Sequence, residues 1–226
     1  MLKEGKANAS QIIRSSIIAG PSDAAWQVVA AALKGTESTL DDLEKFGLVG
    51  TLPCSSARKM KMLSGKVEAA FGGLPKSLTE LIAVREAVDA ERGPAAAVEA
   101  FKAATTPKLS PIASISFSRA TLCTAADFAL QTSGFEAAVA AATVTKLAPL
   151  FIAAVEGCGS PPACIAALGS WVVAQLASGM CDDDFPEPFF AALVSSKVFD
   201  VAAVAEWKAG ASKRSKSLQA LAAMLK

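Results

Sequence analysis

The chain has 226 residues, of which 52% are hydrophobic and 19% charged, and its formal net charge is +1. This length suffices for one large helical domain or two small units, and the composition excludes an intrinsically disordered chain. The near-zero net charge gives no electrostatic reason to expect nucleic acid or an acidic substrate, and the absence of histidine excludes histidine-based catalytic triads and histidine-ligated metals.

The sequence also has no glycine loop of the kind that cradles a nucleotide phosphate: neither GxxxxGK[ST] nor GxGxxG occurs. We therefore expect no enzyme activity, no cofactor, no metal and no small-molecule substrate. Alanine, the residue with the best helix propensity, is abundant, and the apolar–polar alternation of strands is almost absent. An all-α fold is predicted.

In the N-terminal region, glycine and proline separate short amphipathic segments. Helices are predicted within residues 1–20, 22–35, 39–46 and 55–70, the second of them carrying Trp26. The last has a basic side, which is interpreted as a solvated helix face in preference to an RNA-binding patch. Its members are Arg58, Lys59, Lys61 and Lys66.

Two further helices are predicted before the middle of the chain. The first opens at Ser77 and ends near Ala90, with Leu78, Leu81, Ile82, Arg85 and Val88 on one stripe. The second occupies residues 94–104 and packs through Val98 and Phe101. The segment TTPKLSP at residues 105–111 is the predicted boundary between an N-terminal helical-repeat region, 1–104, and a C-terminal helical domain, 105–226.

The C-terminal half is more apolar. Residues 112–131 are predicted to form one or two buried helices anchored by Phe117, Leu122 and Phe128, and residues 135–155 a helix pair broken near Pro149. Residues 161–178 carry no charge, but this stretch is shorter than the about 20 apolar residues of a membrane span. The helix–turn–helix rhythm favours antiparallel hairpins stacked as a HEAT-like α-solenoid, with no membrane association.

The five cysteines, Cys54, Cys123, Cys158, Cys164 and Cys181, show no CxxC spacing. Free thiols in a reducing compartment, the cytoplasm, are the favoured interpretation. A disulfide or redox loop between Cys158 and Cys164 is the alternative, although the spacing of the two residues matches no known reactive motif.

Residues 186–226 carry the most specific pattern. One helical stripe consists of Phe189, Phe190, Leu193 and Val194. A second stripe consists of Val198, Val201, Val204 and Ala205 and ends at Trp207. A last helix, which Ser212 would cap, is lined by Leu218, Leu221, Ala222 and Leu225. The run VFDVAAVAEW at residues 198–207, preceded by two helices in residues 146–176, resembles the W-two domain. This module occurs in translation initiation factor five, its mimic proteins, initiation factor four gamma and the epsilon subunit of the exchange factor for initiation factor two.

The resemblance covers the C-terminal half and implies a HEAT-like domain truncated before the family's second tryptophan. It also implies a non-catalytic protein–protein interaction module of translation initiation, which binds lysine-rich segments of partner initiation factors through acidic and aromatic residues. The corresponding residues here are Asp182, Asp183, Asp184, Glu187, Asp200, Glu206 and Trp207. The chain departs from the family in its basic last helix, with Lys213, Arg214 and Lys216 and no acidic tail.

Three alternatives stay open from the residues themselves. Asp182, Asp183 and Asp184 also suit a solvated loop whose last residues cap the helix at Pro186. Trp207 suits a core anchor as well as an exposed contact. The whole chain also suits a structural helical scaffold or accessory subunit unrelated to translation.

Overall fold

The computed structural model describes residues 64–65, 68–69, 72–74, 76–90, 93–105, 111–177, 179–210, 219 and 221–223. Most of these residues are helical and none of them lies in a strand, which confirms the all-α prediction. The helices predicted within residues 1–46, the basic side chains at 58–66, Cys54 and Trp26 lie outside the described residues, as do Ser212, Leu218 and Leu225 of the predicted last helix.

Eight helices are bounded within the described residues, and their limits follow the glycine and proline positions. They are α1 (Lys76–Asp89), α2 (Pro94–Thr105), α3 (Pro111–Thr132), α4 (Ala137–Lys146), α5 (Ala148–Cys158), α6 (Pro161–Ala177), α7 (Pro186–Ser195) and α8 (Val201–Ala209). Four of them begin at a proline, whose missing N–H and fixed φ suit the first helical position. The predicted stretch 112–131 is thus one helix, α3.

Helix α3 is the centre of the core and contacts α1, α4, α5 and α6. Its buried side chains include the large anchors Phe117 and Leu122. Between and after them come small residues, and these allow the surrounding helices to approach the α3 backbone closely. The buried alanines of α3 are Ala120, Ala125, Ala126 and Ala129.

The remaining helices pack against α3 or against the helices that contact it. Helix α1 packs on α2 and α3, α2 packs on α5, α7 packs on α4, and α8 packs on α6. One hydrophobic core therefore runs from Leu78 in α1 to Trp207 in α8, and helices on both sides of residue 105 contribute to it. Leu221 and Ala222, two members of the predicted last helix, are also buried in this core.

A close approach joins α5 to α2 and α3 at Gly157. A Cβ atom at this position would lie 2.9 Å from Ser118 Oγ and 3.0 Å from Phe101 Cζ. These distances are shorter than ordinary van der Waals contacts, so the position requires glycine for the present helix spacing. Phe101 in turn stacks on Phe117, with ring centroids 5.6 Å apart.

The predicted break near Pro149 is present. Helix α4 ends at Lys146, Leu147 intervenes, and α5 begins at Ala148 with the proline as its second residue. The two helices meet at an angle of 69°. Among the described helices, none alone has the length and apolarity to cross a bilayer, and only the bent pair α4–α5 meets the composition test when its two halves are combined.

A buried ionic network fastens α1 to α3. The Arg85 side chain is 3% exposed, and its Nη1 donates to Asp127 Oδ2 and to the Thr124 carbonyl oxygen, each at 3.3 Å, while Nε donates to Asp89 Oδ1 at 2.8 Å. The guanidinium also lies 5.4 Å from the centroid of the Phe128 ring. Arg85 therefore belongs to the predicted buried stripe and is neutralised there.

Candidate functional site

The sequence-predicted site lies in the most acidic part of the chain. Residues 147–206 contain seven carboxylates and one basic residue, Lys197, a net charge of −6. Six of these seven carboxylates belong to the predicted site, and the seventh is Glu156. Because a field of one sign raises the local concentration of oppositely charged groups, this segment favours a basic partner.

Asp182, Asp183 and Asp184 lie in the loop between α6 and α7, and all three are exposed. The loop is fixed at both ends by buried residues, Cys181 and Phe185, which are 8% and 1% exposed. A turn closed by the Phe185 N–H donating to the Asp182 carbonyl oxygen at 3.1 Å shapes it further. The three carboxylates are therefore presented on a supported loop.

Below this loop lies a cluster of aromatic rings. The Phe185 centroid is 6.2 Å from that of Trp171 on α6 and 5.2 Å from that of Phe189 on α7, and Phe189 is also 5.3 Å from Phe190. Aromatic pairs at these separations stabilise beyond their buried area. The cluster joins α6 to α7 and explains why the predicted stripe with Phe189 and Phe190 faces the core.

One local prediction for this loop was wrong. The aspartates do not cap α7, because the residue at the N-cap position is Phe185, which has helical dihedral angles and no capping side-chain bond. Pro188, the third residue of the helix, has no N–H to donate to a capping side chain, and the burial of Phe185 among the rings determines where the helix begins. The aspartate side chains are thus not engaged in capping α7.

Asp200 does cap a helix. It has an extended backbone conformation before α8, and its Oδ1 accepts a hydrogen bond from the Ala203 N–H. This arrangement is that of an N-cap three residues before its donor. The second carboxylate oxygen is not used in that bond, and Asp200 remains exposed.

The remaining predicted residues separate into exposed and buried groups. Glu187 at the start of α7 and Glu206 in α8 are exposed, whereas Trp207 is 1% exposed and belongs to the core. The core-anchor interpretation of Trp207 therefore describes this structure, and the exposed part of the predicted set consists of the six carboxylates. Within the described residues, none of these six forms an ion pair.

Two exposed apolar side chains accompany the carboxylates. Met180, which is 41% exposed, precedes the acidic loop, and Val201, which is 71% exposed, follows Asp200. The sequence placed Val201 on a buried stripe, and this was wrong. Val201 is the first residue of α8, and the burial in that helix comes from Trp207.

The charge of the acidic loop acts on the neighbouring thiol. Burial, together with the adjacent carboxylates of Asp182, Asp183 and Asp184, raises the pKa of Cys181 to about 11. This thiol is accordingly protonated and unreactive at neutral pH.

Compared with protein-family models, with curated proteins and with solved structures, the chain shows no significant match. The fold and the acidic segment therefore define a class only: in the part of the chain that the structure describes, an all-α protein with an exposed acidic surface that forms no ion pairs there. In the described part of the chain, no group of three or more cysteine, aspartate or glutamate side chains is placed to hold a metal ion.

Sequence reasoning missed two features of the buried polar groups. The pairing of Arg85 with Asp127 joins residues 42 positions apart, and no local pattern signals it. Arg119 lies close to Cys158 and Cys164, two cysteines that the sequence related to each other but not to Arg119.

Proposed function

We propose that this protein is a protein–protein interaction module of translation initiation, which binds lysine-rich segments of partner initiation factors in the cytoplasm. The proposal includes a HEAT-like stacking of the helical hairpins. It is supported by the resemblance of residues 146–207 to the W-two domain and by the all-α architecture of the described residues.

The observation that carries the proposal is the group of six exposed carboxylates without ion-pair partners in the described residues. Elsewhere in the structure, buried Arg85 neutralises Asp89 and Asp127. In residues 147–206, one lysine accompanies seven carboxylates. An excess of charge that no described basic side chain neutralises is the expected property of a surface that binds the opposite charge.

This surface suits lysine better than arginine, because arginine is favoured where a site binds its planar guanidinium in a bidentate way. The carboxylates lie in the loop before α7, in the first turn of α7, and at the start and in the body of α8. Lysine offers a flexible stem that can cover exposed apolar side chains such as Met180 and Val201 while its ammonium group reaches a carboxylate. Each exposed pair contributes about 0.2–1 kcal/mol, so affinity requires several pairs together.

The test is the binding of a labelled lysine-rich peptide, taken from a purified initiation factor, to the full chain by fluorescence anisotropy. We expect binding at about 50 mM salt and its loss towards about 500 mM, because exposed pairs are screened. Neutralising the loop with Asp182→Asn, Asp183→Asn and Asp184→Asn should weaken binding about 3-fold to 100-fold, from three lost pairs.

A matched control removes the same charge elsewhere. Glu68, Glu99 and Glu136 are exposed carboxylates outside the acidic segment, and their replacement by glutamine should leave the affinity within about twofold. Equal weakening of peptide binding by both triple variants would show that the affinity depends only on net charge and not on the position of the carboxylates. Absence of binding at low salt would remove the proposal in favour of a structural scaffold, and equal binding of a scrambled peptide would remove the link to initiation factors.

A further inference from the structure

Helix α4 has an exposed face that carries no charge. Ala138, Val139 and Ala142 recur at the spacing of one helical face, and all three are exposed, Val139 by 44%. No residue from 137 to 145 is charged. The solvent side of a surface helix normally carries charged and polar residues, so a contiguous apolar face of this kind marks a contact surface.

The two threonines of α4 add little polarity to this face. The Thr143 hydroxyl donates to the Val139 carbonyl oxygen and the Thr145 hydroxyl to the Ala141 carbonyl oxygen, each at 3.1 Å. Both hydroxyl hydrogens are used within the helix, and neither requires water as its acceptor. The face is therefore suited to burial along the whole length of α4.

Phe135 extends the apolar face beyond the start of α4. Its side chain is 43% exposed, and its backbone is left-handed, with φ of 71°. This conformation is unfavourable for a bulky residue and is normally occupied by glycine. The Phe135 N–H donates to the Leu130 carbonyl oxygen at 3.2 Å, which holds the turn in place. An exposed aromatic ring is thus retained at a position where glycine would relieve the backbone strain.

One charge lies at each end of the face. Glu136 directly precedes α4, and Lys146 is its last residue, about 15 Å further along the helix axis. Both side chains are exposed, neither forms an ion pair with another described residue, and Glu136 makes no capping bond. Each charge is favourable at its own end of the helix dipole. The distance along the helix excludes a bond between the two within one copy.

We propose that two copies of this chain associate through α4, with the two α4 helices packed antiparallel about a two-fold axis near residue 141. Glu136 and Lys146 are each five residues from this point, so the two-fold axis brings Glu136 of each copy beside the partner's Lys146. The small side chains of Ala138 and Ala142 let the two helices approach closely. Phe135 then lies at the C-terminal turn of the partner helix.

A second copy fits this face because the face is complementary to itself. It is apolar in the middle and carries opposite charges at equal distances from its centre, as an isologous interface requires. A parallel arrangement would place like charges together. One helix face buries less than the about 800 Å² per partner of a standard stable interface, so the dimer is weak, with a Kd of about 10 μM to 1 mM.

The test is sedimentation equilibrium of the full chain at about 50 mM salt and protein concentrations from about 10 μM to 1 mM. We expect the average mass to rise from that of the monomer towards twice that value. Ala142→Gln keeps a good helix former but adds bulk at the helix crossing, and it should weaken association about fivefold or more. The matched control Ala205→Gln changes an exposed alanine of α8 and should leave association within about twofold.

Phe135→Gly separates the contact from the fold. It removes the ring and relieves the left-handed strain, so association should weaken while the circular dichroism spectrum keeps its helical form. Association that is unchanged in both Phe135→Gly and Ala142→Gln, or weakened equally by Ala205→Gln, would overturn the assignment of this face.

Charge reversal tests the antiparallel arrangement. Glu136→Lys and Lys146→Glu each place like charges together at both ends of the dimer, and each should weaken association about fourfold or more at low salt. An equimolar mixture of the two variants should associate more strongly than either alone, because opposite charges meet again. Glu99→Lys, the same change of charge on α2, is the control and should leave association within about twofold.

The contrary outcomes are distinct. Single reversals that associate as well as the unchanged chain, or a mixture that gains nothing, would overturn the antiparallel pairing. A monomeric mass up to about 1 mM would overturn self-association altogether. Flotation of that monomer with phosphatidylcholine vesicles, lost in Phe135→Gly, would assign the face to a lipid surface instead.

Discussion

Replacement of Arg85 by methionine is expected to destabilise the protein more than any single surface change. Methionine keeps most of the aliphatic volume of Arg85 but removes the cation that faces Asp127, whose side chain is 8% exposed. The Gln131 Nε2 bond to Asp127 Oδ2, at 2.7 Å, remains, yet an amide dipole does not neutralise a buried carboxylate. Breaking a buried ion pair from one side costs about 3–5 kcal/mol, and we expect this magnitude.

The two carboxylates of the network differ in burial, so substituting each of them distinguishes the effect of burial from the effect of charge. Asp89 is 34% exposed, so Asp89→Asn should cost less than about 1 kcal/mol, because water screens that pair. The double variant Arg85→Met with Asp127→Leu removes both buried charges, and it should recover most of the loss, since an apolar replacement of a buried pair is often neutral.

The assay is urea unfolding followed by circular dichroism, with the free energies compared as a double-mutant cycle. Additive effects of the two substitutions, with no recovery in the double variant, would refute the assignment of Arg85 and Asp127 as a coupled buried pair. A cost of Arg85→Met no larger than that of Asp89→Asn would do the same.

Three further changes test other parts of the structure. Gly157→Ala should lower the unfolding free energy by about 1 kcal/mol, because the overpacking exceeds the gain in helix propensity, and Ser118→Ala in the same chain should recover part of it in urea unfolding. Asp200→Ala should cost about 1 kcal/mol through the lost N-cap, with Asp200→Asn as the neutral control, measured by thermal unfolding. The rate of Cys158 alkylation should rise with pH through about 6, while that of Cys181 should stay low until pH approaches about 11, because the thiolate reacts.

Each of these has a contrary outcome. A stabilised Gly157→Ala variant would show that the backbones of α2, α3 and α5 adjust freely at this crossing. Equal losses for Asp200→Ala and Asp200→Asn would point to the carboxylate charge and away from the cap. Similar pH midpoints for the two thiols would contradict the lowering of the Cys158 pKa by Cys164 and Arg119 and the raising of the Cys181 pKa by burial and the carboxylates.

The positions of the helices could be predicted because they depend on local properties. The stripe with Leu78, Leu81 and Val88 is buried as the 3.6-residue period requires, and the break at Pro149 follows from the missing N–H of proline. Most boundaries lie within one or two residues of the prediction, but α5 continues through Gly157 and ends at Cys158, three residues beyond the predicted end at residue 155. The arrangement of the helices has no such local signal, because the contacts of α3 with α1 and α6 depend on side chains far apart in the chain.

The candidate sites likewise combine features that could be predicted from the sequence with features that could not. The exposure of Asp182, Asp183 and Asp184 could be predicted, since clustered charges remain in water. The burial of Trp207 could not be decided, because a tryptophan at the end of a short helix suits the core and a binding surface equally. The proximity of Cys158 to Arg119 was missed because a contact between residues of two different helices leaves no spacing rule in the sequence.

The alanine-lined centre of α3 has a consequence for how this protein tolerates change. Where a methyl group already fills the space between neighbouring backbones, as at Ala125, Ala126 and Ala129, every larger residue must push a helix outwards. A buried alanine can be replaced by a smaller residue only if that residue is glycine, which lowers the stability of the helix itself. Substitutions at exposed positions of the described residues are therefore expected to disturb the helix packing less than substitutions at these alanines.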